Sequence, residues 1–224
     1  MNHVVVDFEM NTVARKSEVR KICNMEIIEI GAVMLDDELK EISSFRTYVK
    51  PEHNDVIAPN ISRLTGITEA MVANSPKFRD ALERFANWCQ EGGDEILIHT
   101  WSDSDFIQVS KELELKTEKL TPYEEKLMNL KWHDFQNEFG SNMGFERQLS
   151  LAMALEMAGI EFEGKEHDAL DDARNTAQLL QVFNDKELFE TTLRKIEEAM
   201  KPSSLENTLG NLFDWSQFIV TSEE

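Results

Sequence analysis

Three consecutive valines, Val4 to Val6, run without a break into Asp7, Phe8 and Glu9. The β-branched run has the density of a buried strand. The two-residue period of a strand then sets the carboxylates of Asp7 and Glu9 side by side on one face at the strand's end. Unpaired negative charge there is costly unless a cation answers it, and a hard divalent metal is the simplest remedy. A solvated strand end would carry the same two acids without any metal, so the pair gains meaning only from companions elsewhere in the chain.

The segments EIIEIGAVML and EISSFRTYVK read as two more strands joined by the acidic turn DDELK, which makes a three-stranded antiparallel opening. Phe78, Leu82, Phe85 and Cys89 recur at helical spacing, and GGDEILIHT returns to a strand after a Gly-Gly break. Helix followed by strand is an α/β crossover. Beyond it the pattern predicts a helix over about 103–114, a polar connection around KTEKLTPYEEK, a short strand near LKWHDF, and helices over about 146–157 and 169–184. The fold class is α/β, a mixed central sheet with three antiparallel N-terminal strands flanked by helices, in one domain over residues 1–184.

Residues 185–224 differ in kind. Phe189, Leu193, Ile196 and Met200 fall at helical spacing and predict an amphipathic helix before Pro202. The acidic tail beyond it carries Leu209, Leu212, Phe213, Trp215 and Phe218. Such a tail packs back onto the domain or, alternatively, docks onto a protein partner or a second copy of the chain.

Charge narrows the function. The 224 residues include 23 Lys and Arg against 43 Asp and Glu, a net charge of −20. That surface repels phosphate at long range and argues against a duplex binder that coats the backbone with cations. It leaves open an enzyme that grips one chain end through metal ions, which needs only a local cationic zone. Arg15, Lys16, Arg20 and Lys21, set against the single Glu18, supply one on paper, and a solvated loop of mixed charge is the plainer account of the same residues. No run approaches the ~20 apolar residues of a membrane span, and the start of the chain lacks the basic and apolar stretches of a secretory signal. A cytoplasmic location is the expectation. Cys23 and Cys89 are too few for a zinc cluster or a disulfide framework. Neither an H-E-x-x-H helix nor a Gly-rich phosphate loop occurs.

Two later segments add acids. In HTWSDSDFIQV, either Asp103 or Asp105 could project toward the strand ends; helix phase favours Asp105, because Phe106, Val109 and Leu113 form the apolar stripe while Ser102 or Asp103 suits the N-cap. In EGKEHDALDDARNTAQLL, a flexible stretch at Gly164 leads to His167, and Asp172 lies in the first turns of the helix beyond it. A mobile imidazole and a fixed carboxylate can thus face one centre.

The set VVVDFEMN, LTGIT around position 65, WSDSDF and HDALDDARNTAQ, in this order and spacing, resembles the DEDDh 3′–5′ exonucleases of the RNase T and DnaQ-like superfamily over roughly residues 3–184. EIIEIGAVMLD, the VKP after the third strand, WHDFQNEFG and EGKEHDALDDARN look closer still to the branch of the histone-mRNA 3′-end exonucleases. The resemblance implies an RNase H-like fold in which Asp7, Glu9, Asp105 and Asp172 hold two Mg²⁺ or Mn²⁺ ions. It implies that His167 is the general base for the attacking water, and that nucleoside 5′-monophosphates leave one by one. Residue types agree, since hard cations favour oxygen ligands and a near-neutral imidazole suits proton transfer.

The family also implies contacts to the last nucleotides from Met10, Asn11, Leu64 and Thr65, with Leu64 either wedged against a terminal base or buried as a core leucine on a short helix. Ser104 stands where relatives often carry an aromatic, which leaves the base-stacking surface unassigned. The leading expectation is an exoribonuclease acting on short single-stranded or overhanging 3′ ends, RNA before DNA. The alternatives are a DNA-directed exonuclease or oligonucleotide scavenger and, in another class, a regulatory protein that uses the exonuclease fold for interaction.

Overall fold

Alternation along the first strand decides the architecture. Val4, Val6 and Phe8 point to one side of the sheet and are buried there, while Val5 and the odd-numbered residues after it point to the other. The structure is a computed structural model that describes residues 1–93, 95–145 and 148–200. Its first half runs β1 (Asn2–Thr12), β2 (Met25–Leu35), β3 (Glu41–Tyr48), α1 (Pro59–Thr65), α2 (Glu69–Val72), α3 (Phe78–Glu91) and β4 (Ile96–Thr100). The second runs α4 (Ser104–Lys116), α5 (Pro122–Asn129), β5 (Lys131–Asp134), α6 (Phe135–Asn142), α7 (Leu151–Ala158), α8 (Ala169–Asn184) and α9 (Lys186–Met200).

The sheet order is β3-β2-β1-β4-β5. β1, β2 and β3 pair antiparallel, whereas β4 lies parallel to β1 and β5 parallel to β4. This is the mixed α/β sheet expected, with the antiparallel strands at the N-terminus. One face is sealed by Phe78, Leu82 and Phe85 of α3, Val109 and Leu113 of α4 and Leu127 of α5. The other is sealed by Phe135 and Phe139 of α6, Leu155 of α7, Ala173, Ala177 and Leu180 of α8 and Ile196 of α9. At about 1.5–3 kcal/mol for each fully buried large apolar side chain, the two layers dominate the folding free energy. Among the described residues no helix is long and apolar enough to cross a membrane.

Three expectations are corrected. The KTEKLTPYEEK stretch is not a plain polar connection, because it starts α5. Thr121 accepts a hydrogen bond from the Glu124 amide at 3.3 Å, the Glu124 carboxylate accepts one from the Thr121 amide at 2.6 Å, and Pro122 opens the helix. The helix placed at about 146–157 begins at Leu151, where Ser150 caps the Met153 amide at 3.2 Å. Helices α2 and α6 were not expected, and α1 only as the short helix of the core-leucine alternative at Leu64; all three are short, and tertiary packing rather than periodicity holds them. Residues 201–224, with the apolar tail positions from Leu209 to Phe218, lie outside the described residues.

Helix α8 sits unusually close to the sheet. Small residues, Ala169, Ala173 and Ala177, line its buried side. Gly31 of β2 lies under its first turn, so near that a Cβ at Gly31 would stand 2.1 Å from the Leu170 nitrogen and 2.2 Å from the Ala169 carbonyl carbon. A methyl group there collides with backbone that has no rotamer to escape into. Gly31→Ala therefore lowers the melting temperature, by about 2–4 °C for each of the roughly 1–3 kcal/mol of overpacking. Gly92→Ala, whose Cβ meets chiefly the flexible end of Met34, serves as the control in the same thermal melts and shifts far less.

Candidate active site

β1 delivers Asp7 and Glu9 to the face covered by α8, and the hairpin register sets Asp7 opposite Gly31 and Glu9 opposite Glu29. The two acids were expected at the strand's end and instead stand in its middle, because β1 resumes after a β-bulge between Glu9 and Met10 and stays paired with β2 as far as Thr12. From the other side of the sheet, the first turn of α4 brings in Asp105, buried at 5% exposure, while Asp103 stays exposed at the N-cap. The structure thus separates the two alternatives by burial: Asp105 is the one beside β1. α8 supplies Asp172, also buried, and the segment ahead of it supplies the exposed His167.

That segment is held by α8 itself. The Glu163 amide donates to Asn175 Oδ1 at 3.0 Å, the Lys165 amide to Asp171 Oδ2 at 2.9 Å and the His167 amide to Asp172 Oδ2 at 3.0 Å. Gly164 is needed at φ 86°, because a Cβ there would run into the Asp171 carboxylate at 2.3 Å. His167 itself has φ 63°, a left-handed conformation that costs a residue with a Cβ about 1–2 kcal/mol. Where the sequence suggested a flexible stretch, the backbone is held at these three amides, while the His167 side chain stays exposed. Ligand atoms of Glu9, His167 and Asp172 lie within 4.8 Å of one another, close enough to share one ion or one reacting group.

Electrostatics mark these carboxylates off from the rest. Burial, reinforced by Asp172, Glu29 and Asp105, pushes Glu9 up to about 8. Burial also raises Asp105 to about 7, against the restraint of the Phe8 and Asp105 backbone amides, and Asp172 to about 7, against that of the His167 amide. Asp7 is held well above the carboxylate range by burial and by Asp105, Asp172, Glu9 and Glu29 around it. Other buried acids have a cation: Glu29 pairs with Arg46 at 2.7 Å, Glu26 and Glu112 with Lys116 at 2.9 and 2.7 Å, and Glu124 with Arg79 at 2.7 Å. Among the described residues no Lys or Arg pairs with Asp7, Glu9, Asp105 or Asp172. An all-oxygen set of mutually repelling acids, with one imidazole beside it, fits a hard divalent metal.

The candidate substrate contacts are placed differently from one another. Leu64 is 47% exposed on α1, so it is not a core leucine. Asn11 is fully buried: it donates to the Val56 carbonyl at 3.0 Å and accepts from the Ala58 amide at 2.9 Å. Thr65 donates to the Ile61 carbonyl and accepts from the Ile67 amide, both at 3.0 Å, and Met10 packs against the sheet core. Asn11 thus holds the segment leading into α1 and Thr65 holds the end of that helix, which leaves Leu64 outside. Arg174 pairs with Glu41, and Asn175 holds the Glu163 main chain. Residue-by-residue reading passed over Glu29, Arg46 and Asp168, which adjoin the site. The signal available was an acid in the middle of the apolar run EIIEIGAVML; its meaning depends on the hairpin register, which places it against Glu9.

Because burial and neighbouring acids raise Glu9 from 4.5 to about 8 in the fold, its contribution is fully present below 4.5 and is lost as pH rises from there through about 8. Glu9→Gln therefore gains stability over the wild type, in EDTA, as pH is raised from about 5 to 8. Melts with millimolar Mg²⁺ close that gap, since a ligand bound only by the folded wild type restores what repulsion removes. A gap that is independent of pH and metal would contradict the electrostatic account.

Residues 4–180 match the RNase_T family model, described as an exonuclease. ERI1 exoribonuclease 2 of Danio rerio is 33% identical over 198 residues, covering 80% of this chain and 34% of that protein. The 3′-5′ exoribonuclease 1 of Homo sapiens is 29% identical over 163 residues, covering 69% of this chain and 45% of that protein. The chain thus spans between 27% and 34% of the length of the exoribonuclease 2 relatives from mouse, zebrafish and human. Among solved structures, the nuclease domain of 3′hExo, a DEDDh family member bound to rAMP, aligns with a TM-score of 0.68 at 25% identity, over 81% of this chain and 90% of that one. DEDDh exonucleases use divalent metal ions, and the Glu9, His167 and Asp172 group is a candidate to hold one. Motif order, sheet topology and sequence similarity agree, and the chain belongs to the DEDDh exonucleases of the RNase_T family.

Proposed function

We propose that this chain is a metal-dependent 3′–5′ exoribonuclease that trims short single-stranded or overhanging RNA 3′ ends and releases nucleoside 5′-monophosphates. The observation that carries the reading is the meeting of Glu9, His167 and Asp172 at one point, with Asp7 and Asp105 beside them. RNA is favoured over DNA because the curated relatives are named exoribonucleases. The exonuclease unit spans residues 1–184, with α9 seated as an appendage against α7 and α8.

Asp7, Glu9, Asp105 and Asp172 would hold two divalent ions, Mg²⁺ or Mn²⁺. When bound, such a pair lowers the pKa of water and stabilises the attacking and leaving oxygens at phosphorus. His167, at the solvent edge of the group, takes the proton from the attacking water; the Asp172 carboxylate holds the His167 amide and so sets where the ring stands. The hydroxyl of the penultimate nucleotide leaves with its oxygen and is protonated from solvent, so one P–O bond forms and one breaks. Leu64, exposed on α1, would abut the terminal base.

A 5′-labelled single-stranded RNA incubated with Mg²⁺ or Mn²⁺ is expected to shorten from its 3′ end as a ladder, and to be spared in EDTA. His167→Ala lowers kcat by about 10²–10⁴-fold, Asp7→Ala abolishes the ladder, and both variants keep the wild-type circular dichroism spectrum. Leu64→Ala raises KM more than it lowers kcat, as loss of a binding contact does. Equal rates on matched DNA oligomers would count against the RNA assignment, and a folded protein that cleaves neither would sink the enzymatic reading.

A further inference from the structure

Arg46 lies on β3, two strands from Asp7 and Glu9, yet its guanidinium touches both walls of the site. Its Nε donates to Glu29 Oε1 at 2.7 Å, and its Nη2 donates to Asp168 Oδ2 at 2.6 Å and to the Tyr48 hydroxyl at 3.1 Å. Glu29 stands opposite Glu9 in the hairpin register, with its side chain 1% exposed, and its second oxygen accepts from the Ala169 amide at 3.5 Å. Asp168 comes directly after His167 and caps α8: its Oδ1 accepts from the Asp171 amide at 3.4 Å and its carbonyl from the Asp172 amide at 2.8 Å.

The arrangement is demanding without a cation. Glu29 and Asp168 would repel each other across the seam where α8 meets β2, and each adds to the negative field on Glu9. Repulsion there pushes the first turn of α8 off the sheet, and His167 sits just before that turn in a backbone conformation that does not hold itself. A planar guanidinium reaches two carboxylates at once with separate N–H groups, which an ammonium cannot reproduce from the same position.

We propose that Arg46 is a positioning residue: by bridging Glu29 to Asp168 it clamps the start of α8 to β2 and keeps His167 in its left-handed conformation beside Glu9 and Asp172. What His167 does once placed rests on the exonuclease reading; the clamp itself does not.

The test combines hydrogen exchange with a double-mutant cycle. In Arg46→Met, amide exchange over residues 163–173 is expected to quicken by about tenfold while the other core helices are unchanged. On the RNA substrate, kcat falls by about 10- to 100-fold with KM held within about twofold. In a His167→Ala background the same Arg46→Met change costs less than about twofold, because the residue it positions is gone. Arg46→Lys recovers only part of the loss. If Arg46→Met leaves Glu29 buried without a partner and the protein fails to fold, Arg46→Met combined with Glu29→Gln removes both charges and is measured in its place. An equal loss of kcat with and without His167, or unchanged exchange over 163–173, overturns the proposal. Should the wild type cleave no RNA or DNA, the exonuclease reading falls by itself, and the exchange measurement still decides the clamp.

Discussion

Mutual repulsion among carboxylates gathered at the middle of a buried strand is the constraint around which this molecule is arranged. Asp7, Glu9, Asp105 and Asp172 come from three elements on two sides of the sheet, and each pushes against the others in a place that water reaches poorly. The fold answers with fixed dipoles rather than with cations. Backbone amides of Phe8 and His167 offset Asp105 and Asp172, and the left-handed turn at His167 aims its amide at the Asp172 carboxylate. What stays unanswered is a standing demand for positive charge, which is how a site can be built to select a divalent ion before substrate arrives.

The buried acids away from that point show the contrast. Lys116 bridges Glu26 and Glu112, tying α4 to β2, and Glu26 also accepts the amides of Glu52 and His53. Arg79 locks Glu124, and with it the cap of α5, onto α3. These pairs carry a desolvation cost that good geometry offsets, and they fix which elements meet. Arg46 belongs to both groups: it neutralises a buried structural acid and, through Asp168, reaches the edge of the site. Structural and functional electrostatics are therefore joined at α8, whose tight seat on Gly31 sets the distance across which they act.

Family-level chemistry was legible early because it resides in short local patterns. The D-x-E at the end of a valine run, the helix phase around Asp105 and the five-residue step from His167 to Asp172 each reflect the period of one element. The cap of α5 was equally local, a Thr-Pro-x-Glu signature, and was passed over because its flanks are polar. The short helices α1 and α2 are of another sort. They have few turns to show a period, and they exist because Ile57, Ile67 and Val72 close over Ile28.

The sequence by itself determined the strand that carries two acids side by side, the helices that carry the other two, and a strongly acidic charge balance. Those properties depend on residue type and spacing, which need no partner to be read. Only the tertiary structure decided that Glu29 faces Glu9, that Arg46 reaches Asp168 across 122 positions of chain, and that Asn11 and Thr65 turn inward while Leu64 is left outside. Strand register and helix seating bring such groups together, and both are settled by packing between segments far apart in sequence, where no local pattern records the distance.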